Sequence, residues 1–351
     1  MRSTRTTLRL CLTLSLAAGL TTASIAAGTS APNMEVQQRW KLGGAGGWDY
    51  LTLDSEKKRL FISRATHVDV ISVESGQLIG SIPDTQGVHG IALAPALKRG
   101  FTSNGRANSV TVFDLDTLKV IQEVKVPGRN PDAILYEPGG KHVFTFNGAS
   151  KDVTVLDASS LAVLATIPVP DKPGFAAQDG RGQIFVNIES DPGQMVVIDT
   201  QKLKVKSTWP LPGCNSPSGL ALDRAHRRLF SVCDGKVMAV TDAVGGKQTA
   251  LVPIGEHPDA AEYDGKRGIV YSSNGDGSLS VVHQDAADRY SVVQTLPTQR
   301  GARTMALDDA TGNVYLVTAD FGPAPPATAE QPHPRPALIS DSFVVLVVGA
   351  R

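Results

Sequence analysis

A chain of 351 residues with 41% hydrophobic and 19% charged residues has apolar material for a substantial core and lies far from the composition of disordered chains. Its 34 basic and 34 acidic residues balance, and lysines and arginines cluster only in short turns such as Lys57-Lys58 and Arg227-Arg228. That distribution lacks the dense cationic footprint with which proteins displace counterions from duplex nucleic acid, so nucleic acid is not an expected partner.

Residues 1–27 read as a secretory signal peptide. Arg2, Arg5 and Arg9 make a basic start, Leu10 to Ala26 an apolar stretch, and Ser24-Ile25-Ala26 a small-residue cleavage pattern, with cleavage expected near Ala26. An uncleaved anchor is the competing reading, but Thr and Ser dilute the stretch and it is short for a span. No adjacent arginine pair precedes it, which favours the general secretory route. The expected location is periplasmic or secreted, with no stable membrane span after cleavage. Without the three signal arginines, 31 basic residues face 34 acidic ones, a formal charge of −3.

From residue 49 onward one unit recurs: a short apolar strand, a turn, a second strand of the type Leu-Phe-Ile-Ser, a polar loop, a Val-rich third strand often ending in Asp, and a fourth strand. The second strand occurs seven times, at residues 59–63, 100–104, 143–147, 184–187, 229–232, 270–274 and 314–318. The residues leading into the first strands are Asp49, His89, Asp132, Gly174, Ser218, Asp259 and Arg303, spaced 40 to 44 positions apart. A single four-stranded sheet cannot bury both faces, whereas sheets arranged radially cover one another. The spacing therefore predicts an all-β, seven-bladed β-propeller of four-stranded antiparallel blades, occupying residues 28–351 as one domain.

The last unit offers only one strand after residue 318, at 343–348, and lacks a fourth. Residues 35–42 alternate suitably to supply it, which would join the chain ends and remove an exposed sheet edge. Cys11 leaves with the signal, so Cys214 and Cys233 remain at the same end of one blade, a disulfide candidate in an oxidising compartment. Two free thiols or a redox pair are the alternatives, although no Cys-x-x-Cys spacing supports the latter.

The second- and third-strand pattern, seen in Gly100-Phe-Thr-Ser-Asn-Gly-Arg-Ala-Asn-Ser-Val-Thr-Val-Phe-Asp114 and again in Val143-Phe-Thr-Phe-Asn-Gly-Ala-Ser-Lys-Asp-Val-Thr-Val-Leu-Asp157, resembles the YVTN-repeat, YncE-like β-propeller family over residues 35–351. The resemblance implies the fold. Its implication for activity is broad, because similar propellers serve as surface-layer modules, periplasmic binding proteins, relatives of redox-enzyme subunits and, among YncE-like relatives, single-stranded DNA binders. A tryptophan-aspartate repeat propeller fits less well, since Trp48-Asp49 occurs once and opens a first strand instead of closing a third. Asp114, Asp157 and Asp199 each precede a turn and are expected to cap it.

In a propeller, the loops leading into the innermost strands share one face around the central channel with those between second and third strands, and ligands are expected there. Five of the seven lead-in positions carry an ionisable side chain: Asp49, His89, Asp132, Asp259 and Arg303. The acids and the imidazole form a candidate divalent-metal set, Asp49, His89, Asp132 and Asp259, and the arginine a candidate anion clamp. The competing reading is structural, with these groups tying neighbouring blades together. Gly174 breaks the ring, which argues against a symmetric seven-residue site. Asn104 and Asn274 are further candidates on the same face, among loop residues that include Arg64, His67, Arg106, Asn147, Lys151, Glu189 and Asp276. Asn274-Gly275-Asp276-Gly277 superficially resembles a calcium loop, but Ser272 replaces the leading acid and His283 stands where a bidentate glutamate is needed, so a tight hairpin is predicted.

Blade seven carries an insertion from 319 to 341 with prolines at 323, 325, 326, 332, 334 and 336, a stiff segment that suits a rim or partner-docking element bearing Glu330 and His333; a floppy surface loop is the alternative. No Gly-x-Ser-x-Gly, His-Glu-x-x-His, phosphate-loop or haem-attachment motif occurs. The expectation is a ligand- or partner-binding protein, its partner a small molecule or a periplasmic protein. A metal-dependent, lactonase-like hydrolase is the rival, and single-stranded DNA binding is a third reading that the negative charge disfavours.

Overall fold

The computed structural model describes residues 32–326, 334 and 336–351. The signal-peptide reading, and the middle of the proline-rich insertion with Glu330 and His333, lie outside them. The repeat forms seven four-stranded antiparallel sheets. Their first strands are Leu51–Asp54, Val88–Ala94, Pro131–Glu137, Pro173–Gln178, Asn215–Asp223, Pro258–Asp264 and Met305–Leu307, which touch from blade to blade and line the axis. Among the described residues, no helix is long and apolar enough to cross a membrane.

Burial follows radial position. All six residues of the second strand Arg59–Arg64 are buried, whereas the fourth strand Val120–Lys125 is almost wholly exposed. The middle strands are dense in aromatic and β-branched residues because neighbouring blades cover both of their faces. Seven apolar clusters result, each straddling two consecutive blades. Phe61 and Val70 of blade one meet Ile91 and Phe113 of blade two, with the two phenyl centroids 5.8 Å apart. Each such side chain contributes about 1.5–3 kcal/mol by leaving water. Gly100 is required beside Phe113, because a Cβ there would lie 2.0 Å from the ring.

The ring closes as the terminal alternation suggests, one residue earlier than read from sequence. Met34–Lys41 pairs antiparallel with Val344–Ala350, from Met34 opposite Ala350 to Lys41 opposite Val344, with a bulge between Val36 and Gln38. The seventh sheet thus takes its outer strand from one end of the domain and the rest from the other. Leu60 and Ile62 of blade one then pack on Tyr315, Val317 and Val345 of blade seven.

The turn aspartates act as caps. The Asp114 carboxylate accepts the Thr117 N–H at 2.7 Å and the Asp116 N–H at 3.0 Å; Asp157 and Asp199 do the same for Ser160 and Lys202. The following leucines, Leu118, Leu161 and Leu203, adopt positive φ at 61°, 66° and 49°. Such a backbone costs a leucine energy, and Leu118 offsets it by packing over Gly80 of the preceding blade. The segment 275–277 is a hairpin loop in which Asp276 accepts the Ser278 and Glu256 N–H groups, as predicted in place of a calcium loop.

Cys214 and Cys233 form a disulfide within blade five, with Cα atoms 5.3 Å apart and both residues fully buried. Replacing both cysteines with alanine is expected to lower unfolding stability by about 3 kcal/mol, measured by denaturant titration. Deleting residues 34–41 exposes the edge of Val344–Ala350 and uncovers the last apolar cluster. The expected outcome is loss of the single cooperative thermal transition, followed by circular dichroism; an unchanged melting curve would show that the ring does not depend on its terminal strand.

Candidate functional site

The lead-in residues stand where the chain turns into the innermost strands, and hydroxyls fix their backbones. Ser103 of blade two donates to the Asp132 carbonyl of blade three, and Ser273 of blade six to the Arg303 carbonyl of blade seven. Thr304 donates to the Asp49 carbonyl at 2.7 Å, and the Asp49 N–H donates to Ser63 Oγ at 3.0 Å. Small hydroxyls and main-chain groups therefore do much of the stapling between blades, and the ionisable side chains are free to pair with one another at the channel mouth.

They form two groups. His89 Nδ1 lies 2.5 Å from Asp49 Oδ2 and 3.8 Å from Asp132 Oδ1, bridging blades one, two and three. One ligating atom from each of these residues lies within 4.8 Å of the others. Two carboxylate oxygens and one imidazole nitrogen are a donor set suited to Mn²⁺ or Zn²⁺. Asp259 stands apart: Arg303 Nε contacts its Oδ2 at 3.1 Å, and Ser218 Oγ donates to its Oδ1 at 2.8 Å. Of the four residues of the candidate metal set, three cluster within ligating distance of one another and Asp259 lies outside the cluster, engaged with Arg303 and Ser218.

Blade four contributes differently. A Cβ at Gly174 would lie 3.2 Å from Glu189 Oε1 and from the Pro217 carbonyl oxygen, so the absent side chain leaves room for Glu189 at the mouth. Glu189 is paired with Lys172 at 2.7 Å. Lys172 is not among the sequence candidates, and Glu189 is there only as one of the loop residues on the same face. The signal for them was local: a lysine directly before Pro173-Gly174, at the one lead-in that carries no side chain.

The charges on this rim influence one another. Burial pushes the Asp132 carboxyl up to about 6, against the pull of His89, and the nearby Asp49 reinforces the rise. Burial pulls His89 down, but its hydrogen bond to Asp49 and the charges of Asp132 and Asp49 outweigh this, leaving the imidazole above its ordinary value. Burial also raises Asp259 in spite of Arg303, and Glu189 in spite of Lys172. The hydroxyl of Tyr50, whose ring meets Phe175 edge-on at 4.7 Å, lies well above the usual phenol range through burial and the charges of Asp132, Asp49, Asp259 and Glu189. Side chains of separate blades thus share one electrostatic site.

Asn104 and Asn274 offer it nothing, which corrects their reading as mouth ligands. Both are fully buried. Asn104 Oδ1 accepts from Thr102 at 2.8 Å while its Nδ2 donates to Thr111 at 2.8 Å; Asn274 accepts from Ser272 at 2.9 Å and donates to Ser278 at 3.0 Å and Ser280 at 3.1 Å. Asn147 repeats the clasp with Thr145, Asp152 and Thr154. An asparagine at this place satisfies the polar ends of second and third strands that neighbouring blades bury. Arg64 is likewise spent, paired with Asp69 at 2.9 Å and stacked over Phe343 at 3.8 Å. The base of the proline-rich insertion is an antiparallel bridge between Phe321 and Leu338, and Phe321 packs against Trp48 with centroids 6.2 Å apart.

The sign of the pH dependence follows. A His89 pKa above its unfolded value of 6.5 means that its stabilising contribution is complete below about pH 6.5 and is lost as pH rises through the folded value. Asp132 acts in the same direction: a carboxyl raised from 3.8 to about 6 costs stability as pH rises across that interval. In an Asp49→Asn variant the His89 ring, followed by NMR, is expected to titrate at lower pH than in the wild type. An unshifted curve would break the link between the two side chains.

A scan against protein-family models found no match, and neither did a search of curated proteins. Solved structures do match. Kuenenia stuttgartiensis hydrazine synthase superposes with a TM-score of 0.68 at 16% identity, covering 77% of this chain and 92% of that one. The WD40 repeats of RRP9 superpose with a TM-score of 0.72 at 12% identity, covering 92% of this chain and 99% of that one. At such identities the likeness concerns architecture alone, and it agrees with the sheet order: the chain is a seven-bladed β-propeller.

Proposed function

We propose that this chain is an exported propeller of the YVTN-repeat, YncE-like type that acts as a binding protein, taking a polar ligand or a periplasmic partner at the channel mouth. The carrying observation is the convergence of Asp49, His89, Asp132, Glu189, Lys172, Asp259 and Arg303 on one rim, where four carboxylates bear on a single half-buried phenol. A rigid ring holds them in place, so a ligand bearing both charge signs meets preorganised partners and little ordering cost opposes binding. Export is supported by the signal pattern of residues 1–27 and by the disulfide, a bond that persists in oxidising compartments. Single-stranded nucleic acid suits this mouth poorly, because phosphates would meet the carboxylates.

The second reading, a metal-dependent hydrolase, is favoured by the Asp49, His89 and Asp132 triad. The chemistry it needs is Lewis-acid activation of water, with Arg303 available to an anionic substrate.

A thermal-shift screen of amino acids, dicarboxylates and phosphorylated small molecules tests the first reading. A true ligand at one hundred times its Kd should stabilise the protein by about 2.7 kcal/mol, with the gain lost in both Asp132→Asn and Arg303→Gln. Metal analysis separates the second. About one divalent ion per chain, lost in Asp49→Ala and Asp132→Ala but kept in Asp259→Ala, would replace the binding-protein reading with the metal-centred one.

A further inference from the structure

Beneath the mouth, a half-open cavity of about 270 Å³ lies on the axis of the ring, just under the usual size of small-molecule sites. Its wall comes from the innermost strands of five blades and from Phe175 of a sixth. Tyr50, Glu262 and Thr52 are its polar side chains, and the remainder is aliphatic, aromatic or glycine. The Thr52 hydroxyl is committed, donating to the Ile91 carbonyl at 2.7 Å. The Glu262 carboxyl makes no hydrogen bond and no ion pair among the described residues, whereas Asp49, Asp132, Asp259 and Glu189 at the mouth each face a basic partner.

Glu262 is half-buried and faces the half-open cavity, where the surrounding protein strips away much of its water. A carboxylate in such surroundings is costly unless a cation meets it. Asp309 of the next blade is the charged group that bears on it, and Tyr50 is the other titratable group on the wall. The edge-on Tyr50 and Phe175 rings border the same space and offer a cation an aromatic wall. The cavity is therefore complementary to a positive charge on a small apolar body.

We propose that the axial cavity binds a small monocationic amine, its ammonium group paired with the Glu262 carboxylate and its apolar body lodged against Tyr50, Phe175 and the aliphatic wall. This site lies below the charged rim and shares the Tyr50 ring with it, but its ammonium partner, Glu262, takes no part in the rim. Burial, with Asp309 adding to it, pushes the vacant Glu262 carboxyl up to about 8. Below that pH the acid is protonated, and binding an ammonium ion releases the carboxyl proton to solvent. Raising the pH from 6 to 8 should thus strengthen binding roughly fifty-fold, the ratio of ionised fractions for a group titrating near 8.

Isothermal titration of the full chain with benzylamine, phenethylamine and n-hexylamine tests the proposal, with benzyl alcohol and benzoate as controls. The expected result is one-to-one binding of at least one amine, with an apparent heat that varies with buffer ionisation enthalpy and an affinity that climbs from pH 6 to 8. Glu262→Gln should weaken it at least tenfold and abolish the pH dependence, while Glu74→Gln, in an exposed outer turn of blade one, leaves it unchanged. No binding by any of the three amines, equal binding of benzyl alcohol, or a Glu262→Gln variant with undiminished affinity would each overturn the proposal. Proton release and pH dependence are read on the unmodified protein, so the test survives a variant that does not fold.

Discussion

The whole molecule depends on mutual coverage of thin sheets. Each blade has two apolar faces and cannot bury either by itself; it is stable only because a neighbour lies on each side, and the first and last blades have neighbours only when the ring is closed. The pairing of Met34–Lys41 with Val344–Ala350 is what turns a row of seven sheets into a circle. It removes the last sheet edge and supplies the seventh interface, where Leu60 and Ile62 meet Tyr315 and Val345. Stability in such an arrangement is spread over seven similar clusters, so no single core residue dominates.

Closure also makes the functional face possible. Radial packing brings residues from positions 49, 89 and 132 together although about 40 residues separate each from the next. Because the backbones are held by serine and threonine hydroxyls from adjoining blades, the ionisable side chains act on each other across blade boundaries. The mouth is thus a joint as well as a candidate site: His89 links three blades, and its raised pKa has that origin. Stapling and ligand binding, opposed as readings of the sequence, need not exclude each other: hydroxyl and main-chain groups join the blades, and the proposed ligand would meet the charged side chains of the same segments.

Much of the architecture was legible from the repeat. The spacing of lead-in residues, the seven second strands and the missing fourth strand identify the blade count and the closing strand, and Asp114, Asp157 and Asp199 are caps as their turn contexts indicate. The candidate site was legible only in part. Asp49, His89 and Asp132 do assemble, but Asp259 is claimed by Arg303 and Ser218. Asn104 and Asn274 look like loop residues in sequence because they end their strands; in space they are clasps, since a strand end enclosed by neighbouring blades must satisfy its own polar groups. Glu262 carried no sequence signal at all, because it sits at an ordinary inner-strand position and is distinguished by having no partner among the described residues and by facing the axial cavity.

Sequence periodicity by itself determined the fold class, the number of blades and the terminal closure, because these follow from local strand patterns repeated at a fixed interval. Only the tertiary structure decided which charged groups meet, which are already paired, and where an acid is left alone. Those are distances between residues far apart in the chain, and they depend on how the ring curves and how each side chain leans from its strand. Electrostatic interactions are set by such distances and by exclusion of water, and neither is written in any local run of residues.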